Sequence, residues 1–273
     1  MRWQRARQSE NVEDRRRFGA TGKGKLTAAG LLLALVLSVM LDRHPLEMLG
    51  LIQGRSQSGA GGETAADDVR VNFVRAILGD TEDVWAALLA QSGNQYQTPK
   101  LVLYSDRVDS ACGNAGAATG PFYCSADQRI YLDLSFFDAM HDRYGGGGEF
   151  AEAYVIAHEV GHHVQHLLGV AAPAASKGAS GTSVRQELQA DCYAGVWAFH
   201  AQQRHHWLES GDFDAALSTA AAIGDDRLQR QSRGYVVPES FTHGTSAQRV
   251  RWFGIGFKSG DIDRCDTFSV TDL

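Results

Sequence analysis

The 273-residue sequence predicts an α+β fold, a mostly helical domain with a small antiparallel sheet, preceded by an apolar N-terminal helix. Three observations lead to this prediction. Apolar residues recur at helical intervals in most segments beyond residue 69. Residues 100–108 and 129–137 are short runs with the β-branched, aromatic or alternating pattern of strands. Residues 26–41, "LTAAGLLLALVLSVML", contain no charge and no proline.

The apolar run of residues 26–41 predicts a transmembrane anchor. It is shorter than the roughly 20 residues that usually span a bilayer, but its basic head is long for a signal peptide and no small-residue cleavage site follows. The positive-inside rule then makes residues 1–25 a basic cytoplasmic head and puts the domain on the extracytoplasmic side. The alternative interpretation is a buried core helix.

Residues 42–68 are rich in Gly, Ser and polar residues, which is typical of a flexible linker, and the domain is expected to span residues 69–273. Residues 1–25 hold eight Lys or Arg against three Asp or Glu, whereas the whole chain has a net charge of −6. The domain is therefore acidic, which argues against a nucleic-acid partner.

The helical spacing within the domain predicts several helices in order. Two are expected in residues 69–93, separated at residues 79–80, and others over residues 149–168, 184–203 and 212–224. The helix at residues 184–203 has a capping-box pattern in Ser183 and Gln186, and Thr245 or Ser246 is expected to cap a last helix.

The four cysteines form no C-x-x-C pair, which argues against a thiolate zinc site. In an oxidising compartment the simplest pairing is Cys112 with Cys124 and Cys192 with Cys265. Two other connectivities, and four buried thiols in a reducing compartment, stay open.

The stretch "AYVIAHEVGHHVQHL", residues 153–167, carries the main chemical signal. His158 and His162 are four residues apart, so both imidazoles lie on one helix face and can bind one zinc ion. Glu159 lies beside that face, where its carboxylate can act as a general base. Gly161 costs helix stability and suggests that something packs closely there. His163 and His166 are turned away and are not expected to be ligands.

A catalytic zinc needs a third protein ligand, and the next helix offers one in "RQELQADCYAG". Glu187 and Asp191 lie four residues apart and share a face. We expect Glu187 to bind the metal and Asp191 to hold a ligand histidine through its second ring nitrogen. The alternative is a solvated acidic face, which the apolar neighbours of these residues disfavour.

H-E-x-x-H followed by E-x-x-x-D resembles the gluzincin class of zincin-like domains. The phrases "YVIAHEVGHHVQHLLG", "RQELQADCYAGVWA" and "SFTHGTSAQRVRWFGIGF", with others, resemble the bacterial "putative neutral zinc metallopeptidase" family over about residues 69–270. The resemblance implies a protein of the bacterial inner membrane with one Zn²⁺ bound by His158, His162 and Glu187, and with Glu159 as general base. A protein or peptide substrate is expected; the oligomeric state is left open.

Two weaker hypotheses concern the rest of the site. His243, in a turn rich in Gly, Ser and Thr, is a candidate for stabilising the oxyanion of a tetrahedral intermediate, and Arg249 is a weaker one. The strand near residues 129–134 is a candidate sheet edge for holding a substrate backbone, braced by a Cys112–Cys124 bridge.

The leading functional hypothesis is a membrane-anchored zinc endopeptidase. A non-catalytic envelope scaffold stabilised by zinc is the alternative, although a structural zinc site usually has four protein ligands and no use for Glu159. Hydrolysis of a non-peptide envelope substrate is a third possibility. The sequence does not identify the substrate.

Overall fold

The computed structural model describes residues 1–16, 65–116, 119–144, 147–170, 175–209 and 211–273. Within these residues the strands are β1 Val12–Asp14, β2 Lys100–Tyr104, β3 Arg107–Ser110, β4 Gly113–Gly116, β5 Phe122–Cys124 and β6 Arg129–Asp133. The α-helices are α1 Ala65–Gln91, α2 Ser135–Tyr144, α3 Glu149–Leu167, α4 Thr182–His205, α5 Asp212–Ala222, α6 Asp225–Arg233 and α7 Ser246–Ser259. The mostly helical α+β class is confirmed.

The main sheet has four strands in the order β1-β2-β6-β5, and β3 and β4 form a separate antiparallel pair. Strand β2 pairs in parallel with both β1 and β6, while β5 pairs antiparallel with β6. The prediction of an antiparallel sheet is therefore wrong for two of the three ladders. A helix-bearing connection separates β1 from β2, and parallel strands require such a crossover.

Helix α1 is continuous, whereas the sequence predicts a break at residues 79–80. Gly79 is present because the N-terminal segment passes against it: a Cβ on Gly79 would lie 2.7 Å from the carbonyl oxygen of Arg7. A close approach of another backbone, and not a helix end, explains this glycine.

Residues 1–16 pack on the domain and are not a separate head. Trp3 is buried and its indole N–H donates to Glu149 at the start of α3, while Glu82 of α1 accepts hydrogen bonds from Arg7, Ser9 and Asn11. Residues 1–16 of the predicted cytoplasmic head are therefore part of the folded domain.

The predicted anchor, residues 26–41, lies outside the described residues, and membrane attachment stays a prediction. Most of the predicted linker does as well, although α1 already begins at Ala65, inside residues 42–68. Across the part of the chain that the structure describes, none of the helices combines the length and apolarity needed to cross a membrane.

Helices α3 and α4 cross closely, and this crossing positions the site. A Cβ on Gly161 would lie 3.0 Å from the carbonyl oxygen of Ala190, so the predicted close packing at Gly161 is confirmed. Helix α4 also touches α7, where Gly195 and Gly256 allow direct backbone contact. Because all three helices meet through glycines, polar side chains on them can reach one another across short distances.

Both predicted disulfides, Cys112–Cys124 and Cys192–Cys265, are present. The second joins α4 to the segment after α7. Thr245 caps α7 in a capping box with Gln248, as expected, whereas α4 begins at Thr182 after Gly181 without the predicted side-chain cap from Ser183.

Candidate metal centre

His158, His162 and Glu187 converge across the α3–α4 crossing. Nε2 of His158 lies 3.2 Å from Oε2 of Glu187, and Nε2 of His162 lies 3.5 Å from Oε1 of the same carboxylate. One potential ligand atom from each residue lies within 4.8 Å of the others. In the described part of the chain, no fourth His, Cys, Asp or Glu joins this group. The spacing expected from the sequence therefore produces one three-ligand cluster.

The charged groups of the cluster stabilise one another's ionised forms. Burial opposes the imidazolium form of His158, but the nearby carboxylates of Asp191 and Glu187 outweigh burial and raise the pKa of His158 to about 10. Burial also opposes the ionised form of Glu187, yet the two histidines hold the pKa of Glu187 well below its usual range. Glu187 is thus ionised, and a cation that binds here would take the place of the protons on the Nε2 atoms of the two histidines.

Asp191 is fully buried and accepts four hydrogen bonds, one of them from His158. Nδ1 of His158 lies 2.9 Å from Oδ1 of Asp191, so Nε2 is left to face Glu187. The Arg249 guanidinium binds both Asp191 oxygens at 2.8 Å, and the hydroxyl of Tyr154 donates to Oδ1. Asp191 thus contacts the second ring nitrogen of His158, while the role of His158 as a metal ligand stays a prediction. Arg249 is a buried partner of Asp191, which differs from its predicted role at an oxyanion.

Two residues of this network were missed by the sequence reasoning. Tyr154 lies four residues before His158, and Gln165 lies three residues after His162; helical spacing alone puts both near the ligand face. Oε1 of Gln165 lies 2.9 Å from Nδ1 of His162. Each ligand histidine therefore has its own partner at the ring nitrogen that points away from Glu187.

Glu159 lines the same cleft as the cluster and makes no side-chain hydrogen bond with another described residue. It lies on α3 directly after His158, turned by about 100° from it. A carboxylate at the wall of an open cleft that bonds no described side chain is available to a water or a substrate.

His243 also lines this cleft. Asp225 accepts hydrogen bonds from the backbone N–H groups of Thr242, His243 and Gly244, and it lies 3.4 Å from Nδ1 of His243. The hydrogen bond with Asp225 raises the pKa of His243, although burial opposes it. Asp225 was not found from the sequence, because nothing in "GDDR" indicates a contact 18 residues further on.

The cleft has a volume of about 1210 Å³, and strand β5 forms part of its wall. The predicted edge strand, near residues 129–134, is wrong: β6 lies between β2 and β5, so β5 is the edge of the sheet next to the metal cluster. Cys124 in β5 is bonded to Cys112, so the disulfide braces the correct edge. Apolar cleft residues include Phe122, Phe136, Val155, Ile223 and Leu228.

The two other histidines of α3 are not in the cluster, as expected. His163 is buried between the Tyr123 hydroxyl and the carbonyl of Gln97, and burial lowers the pKa of His163. His166 is exposed at the cleft wall. His163 therefore ties α3 to the edge strand.

Two histidines one helical turn apart, a glutamate beside them and a carboxylate from the next helix are typical of the H-E-x-x-H class of zinc peptidase sites. The chain belongs to the family described as "Putative neutral zinc metallopeptidase", which matches residues 1–268. This membership supports zinc as the metal.

Relatives in bacteria share most of the chain. "Uncharacterized protein YpfJ" of Escherichia coli (strain K12) is 45% identical, and the match covers 98% of this chain and 99% of that protein. "Uncharacterized protein Rv2575" of Mycobacterium tuberculosis is 46% identical over 77% of this chain and 75% of its own. No solved structure matches the chain.

Proposed function

We propose that the protein is a zinc-dependent endopeptidase that hydrolyses peptide bonds with Glu159 as general base. The observation that carries this is the convergence of His158, His162 and Glu187 in a cleft where Glu159 has no hydrogen-bond partner among the described residues. The function requires all four residues in one place, and they come from two helices.

The residues present fit a zinc ion. Two imidazole nitrogens and one carboxylate oxygen form a ligand set that zinc uses in catalytic sites, where one position stays open. Both ligand rings have their Nδ1 atoms occupied by protein partners, so Nε2 is the donor atom of each. When bound, zinc supplies Lewis acidity, which polarises a substrate carbonyl and makes water more acidic.

Glu159 supplies the proton transfers. Its carboxylate accepts the proton that the attacking water loses and then gives it to the nitrogen of the departing amine, so water adds across the peptide bond. His243 also lines the cleft, with Asp225 holding its backbone and ring. We propose that His243 donates a hydrogen bond to the oxyanion that forms at the scissile carbon.

Strand β5 is the surface proposed to hold the substrate. As an edge strand it has unpaired backbone groups on the side away from β6, and an extended peptide can bind them as an additional strand. The peptide would then run along the cleft wall past Phe122 and Tyr123, which brings a backbone carbonyl near the metal cluster.

Glu159→Gln tests the function. We expect the variant to keep one zinc per chain and to lose cleavage of a proteome-derived peptide library by a factor of about 10² to 10⁴, the contribution of a general base. Glu152→Gln is the matched control, since Glu152 lies on the same helix outside the cleft lining. His243→Ala should keep its zinc and lose rate by a smaller factor.

Two results would overturn the proposal. Zinc-loaded wild-type protein that cleaves nothing in the library would favour the scaffold alternative or a non-peptide substrate. Glu159→Gln protein that cleaves as fast as the Glu152→Gln control would remove Glu159 from the reaction.

A further inference from the structure

The two ligand histidines are held by different chemistry. His158 donates through Nδ1 to the carboxylate of Asp191, whose charge is offset by Arg249. His162 contacts a neutral amide, Gln165, which is buried with 1% of its surface exposed. An amide has a donor end and an acceptor end, so the orientation of Gln165 decides which ring nitrogen of His162 carries the proton.

The orientation of Gln165 is fixed by its other contacts. Its Nε2 lies 2.7 Å from the backbone carbonyl oxygen of Gln186, and a carbonyl oxygen can only accept. The NH₂ group of Gln165 must therefore point to Gln186, and Oε1 must point to His162. Because Oε1 can only accept, Nδ1 of His162 carries the proton and Nε2 has the free lone pair.

A second buried amide enforces the same direction. Nε2 of Gln189 lies 3.0 Å from the backbone carbonyl oxygen of Cys265, so the Oε1 atom of Gln189 faces Gln165. That oxygen accepts a second hydrogen bond from Nε2 of Gln165, at 3.0 Å. Rotating either amide by 180° would put two donors or two acceptors face to face in a buried place, which costs about 1–3 kcal/mol per lost partner.

We propose, building on the zinc site of the proposed function, that Gln165 is a positioning residue that sets the tautomer and ring plane of His162. The row of hydrogen bonds runs from the Cys265 carbonyl through Gln189 and Gln165 to Nδ1 of His162. It presents Nε2 of His162 to the metal, as Asp191 does for His158. Partners of this kind typically change metal affinity by about 10- to 100-fold when they are removed.

Gln165→Met tests this role, because methionine has a similar length and cannot hydrogen-bond as an amide does. Gln189→Met is the matched control: it removes a buried amide from the same row but leaves the contact between Gln165 and His162 in place. We expect Gln165→Met to weaken zinc binding by about 10- to 100-fold in a chelator competition, and Gln189→Met to weaken it by much less than tenfold. Equal effects in the two variants would overturn the proposal.

Wild-type protein gives a measurement that does not depend on any variant folding. In the ¹⁵N spectrum of the zinc-loaded protein with labelled histidine, we expect His162 to be bound through Nε2 with its proton on Nδ1. Coordination through Nδ1 of His162 would overturn the assignment. Both readouts report zinc binding, so a protein that shows these results and cleaves no peptide would refute only the peptidase function.

Discussion

Helix α4 takes part in two buried aspartate networks, one at the metal cluster and one near its C-terminal end. At the cluster, Asp191 binds Arg249, Tyr154 and His158. At the other end, Asp80 of α1 binds three residues of α4, Arg204, His205 and Trp197. Each network therefore consists of an aspartate, an arginine, a histidine and an aromatic donor.

The arginines differ in solvent access. The Arg249 side chain is 4% exposed and binds Asp191 with two parallel hydrogen bonds, whereas the Arg204 side chain is 37% exposed and is shared between Asp80 and Asp83. Burial opposes the ionised form of Asp191, but the charges of Arg249 and His158 lower the pKa of Asp191 to about 2. At Asp80 the effect of burial is larger than that of the neighbouring cations, so the pKa of Asp80 is raised.

Side-chain composition alone therefore does not define what each network does. The histidine beside Asp191 presents its other nitrogen to Glu187 and an open cleft. The histidine beside Asp80, His205, stacks on Trp207, and this network lies next to the residues that hold the N-terminal segment. A fully buried aspartate with strong ion pairs can orient a histidine at the metal cluster, whereas an aspartate with weaker ion pairs connects two helices.

The largest difference between the networks should appear when each arginine is removed. Arg249→Met leaves the buried charge of Asp191 without its arginine partner, and we expect a loss of about 3–5 kcal/mol in the free energy of unfolding. Arg204→Met should cost about 1 kcal/mol or less, since its pair is partly exposed to solvent. Urea unfolding of both variants with excess chelator excludes any contribution from the metal. Similar losses in the two variants would contradict the distinction drawn between the networks.

Removing the metal should affect the two ends of α4 differently. Zinc bound only by the folded state stabilises it by about 2.7 kcal/mol when its free concentration is 100 times its dissociation constant. We therefore expect a chelator to lower the unfolding temperature and to increase hydrogen exchange around residues 158–191. Amides near the Asp80 contacts should keep their protection from hydrogen exchange. A uniform loss of this protection across α1 and α4 would contradict this expectation. Glu187→Gln protein should respond little to the chelator.

Much of the site could be predicted because helical spacing is local information. The four-residue spacings of His158 with His162 and of Glu187 with Asp191 fix which side chains share a face, and Gly161 marks where two helices meet. The Cys112–Cys124 bridge and the Thr245 cap also followed from short-range patterns. These features require no knowledge of how distant segments pack.

Long-range contacts explain what the sequence analysis missed. Strand β1 has only three residues and is identified by its pairing with β2, about 90 positions away, so no periodic pattern could reveal it. Gly79 resembles a helix break until the Arg7 backbone is placed against it. Likewise, β6 is a central strand because β2 pairs with one side of it and β5 with the other.

The two aspartates should give opposite pH dependences, and Asp191 has the larger one. Its pKa of about 2 lies below the ordinary value of 3.8, so its carboxylate stabilises the fold above pH 3.8, and this contribution is lost as the pH falls through 2. A gap of this size corresponds to roughly 2–3 kcal/mol. The stability advantage of wild type over Asp191→Asn, measured by urea unfolding with chelator, should therefore shrink as the pH falls below 3.8.

Asp80→Asn should show the smaller effect with the opposite sign. Because the pKa of Asp80 is raised, the neutral form is favoured in the fold, and its contribution is complete below pH 3.8 and lost as the pH rises through the raised value. Asparagine cannot ionise, so the variant should gain stability relative to wild type as the pH rises above about 4. Parallel stability curves for the two proteins would mean that Arg204 and His205 fully offset the burial of Asp80, and the two networks would then differ only in their neighbours.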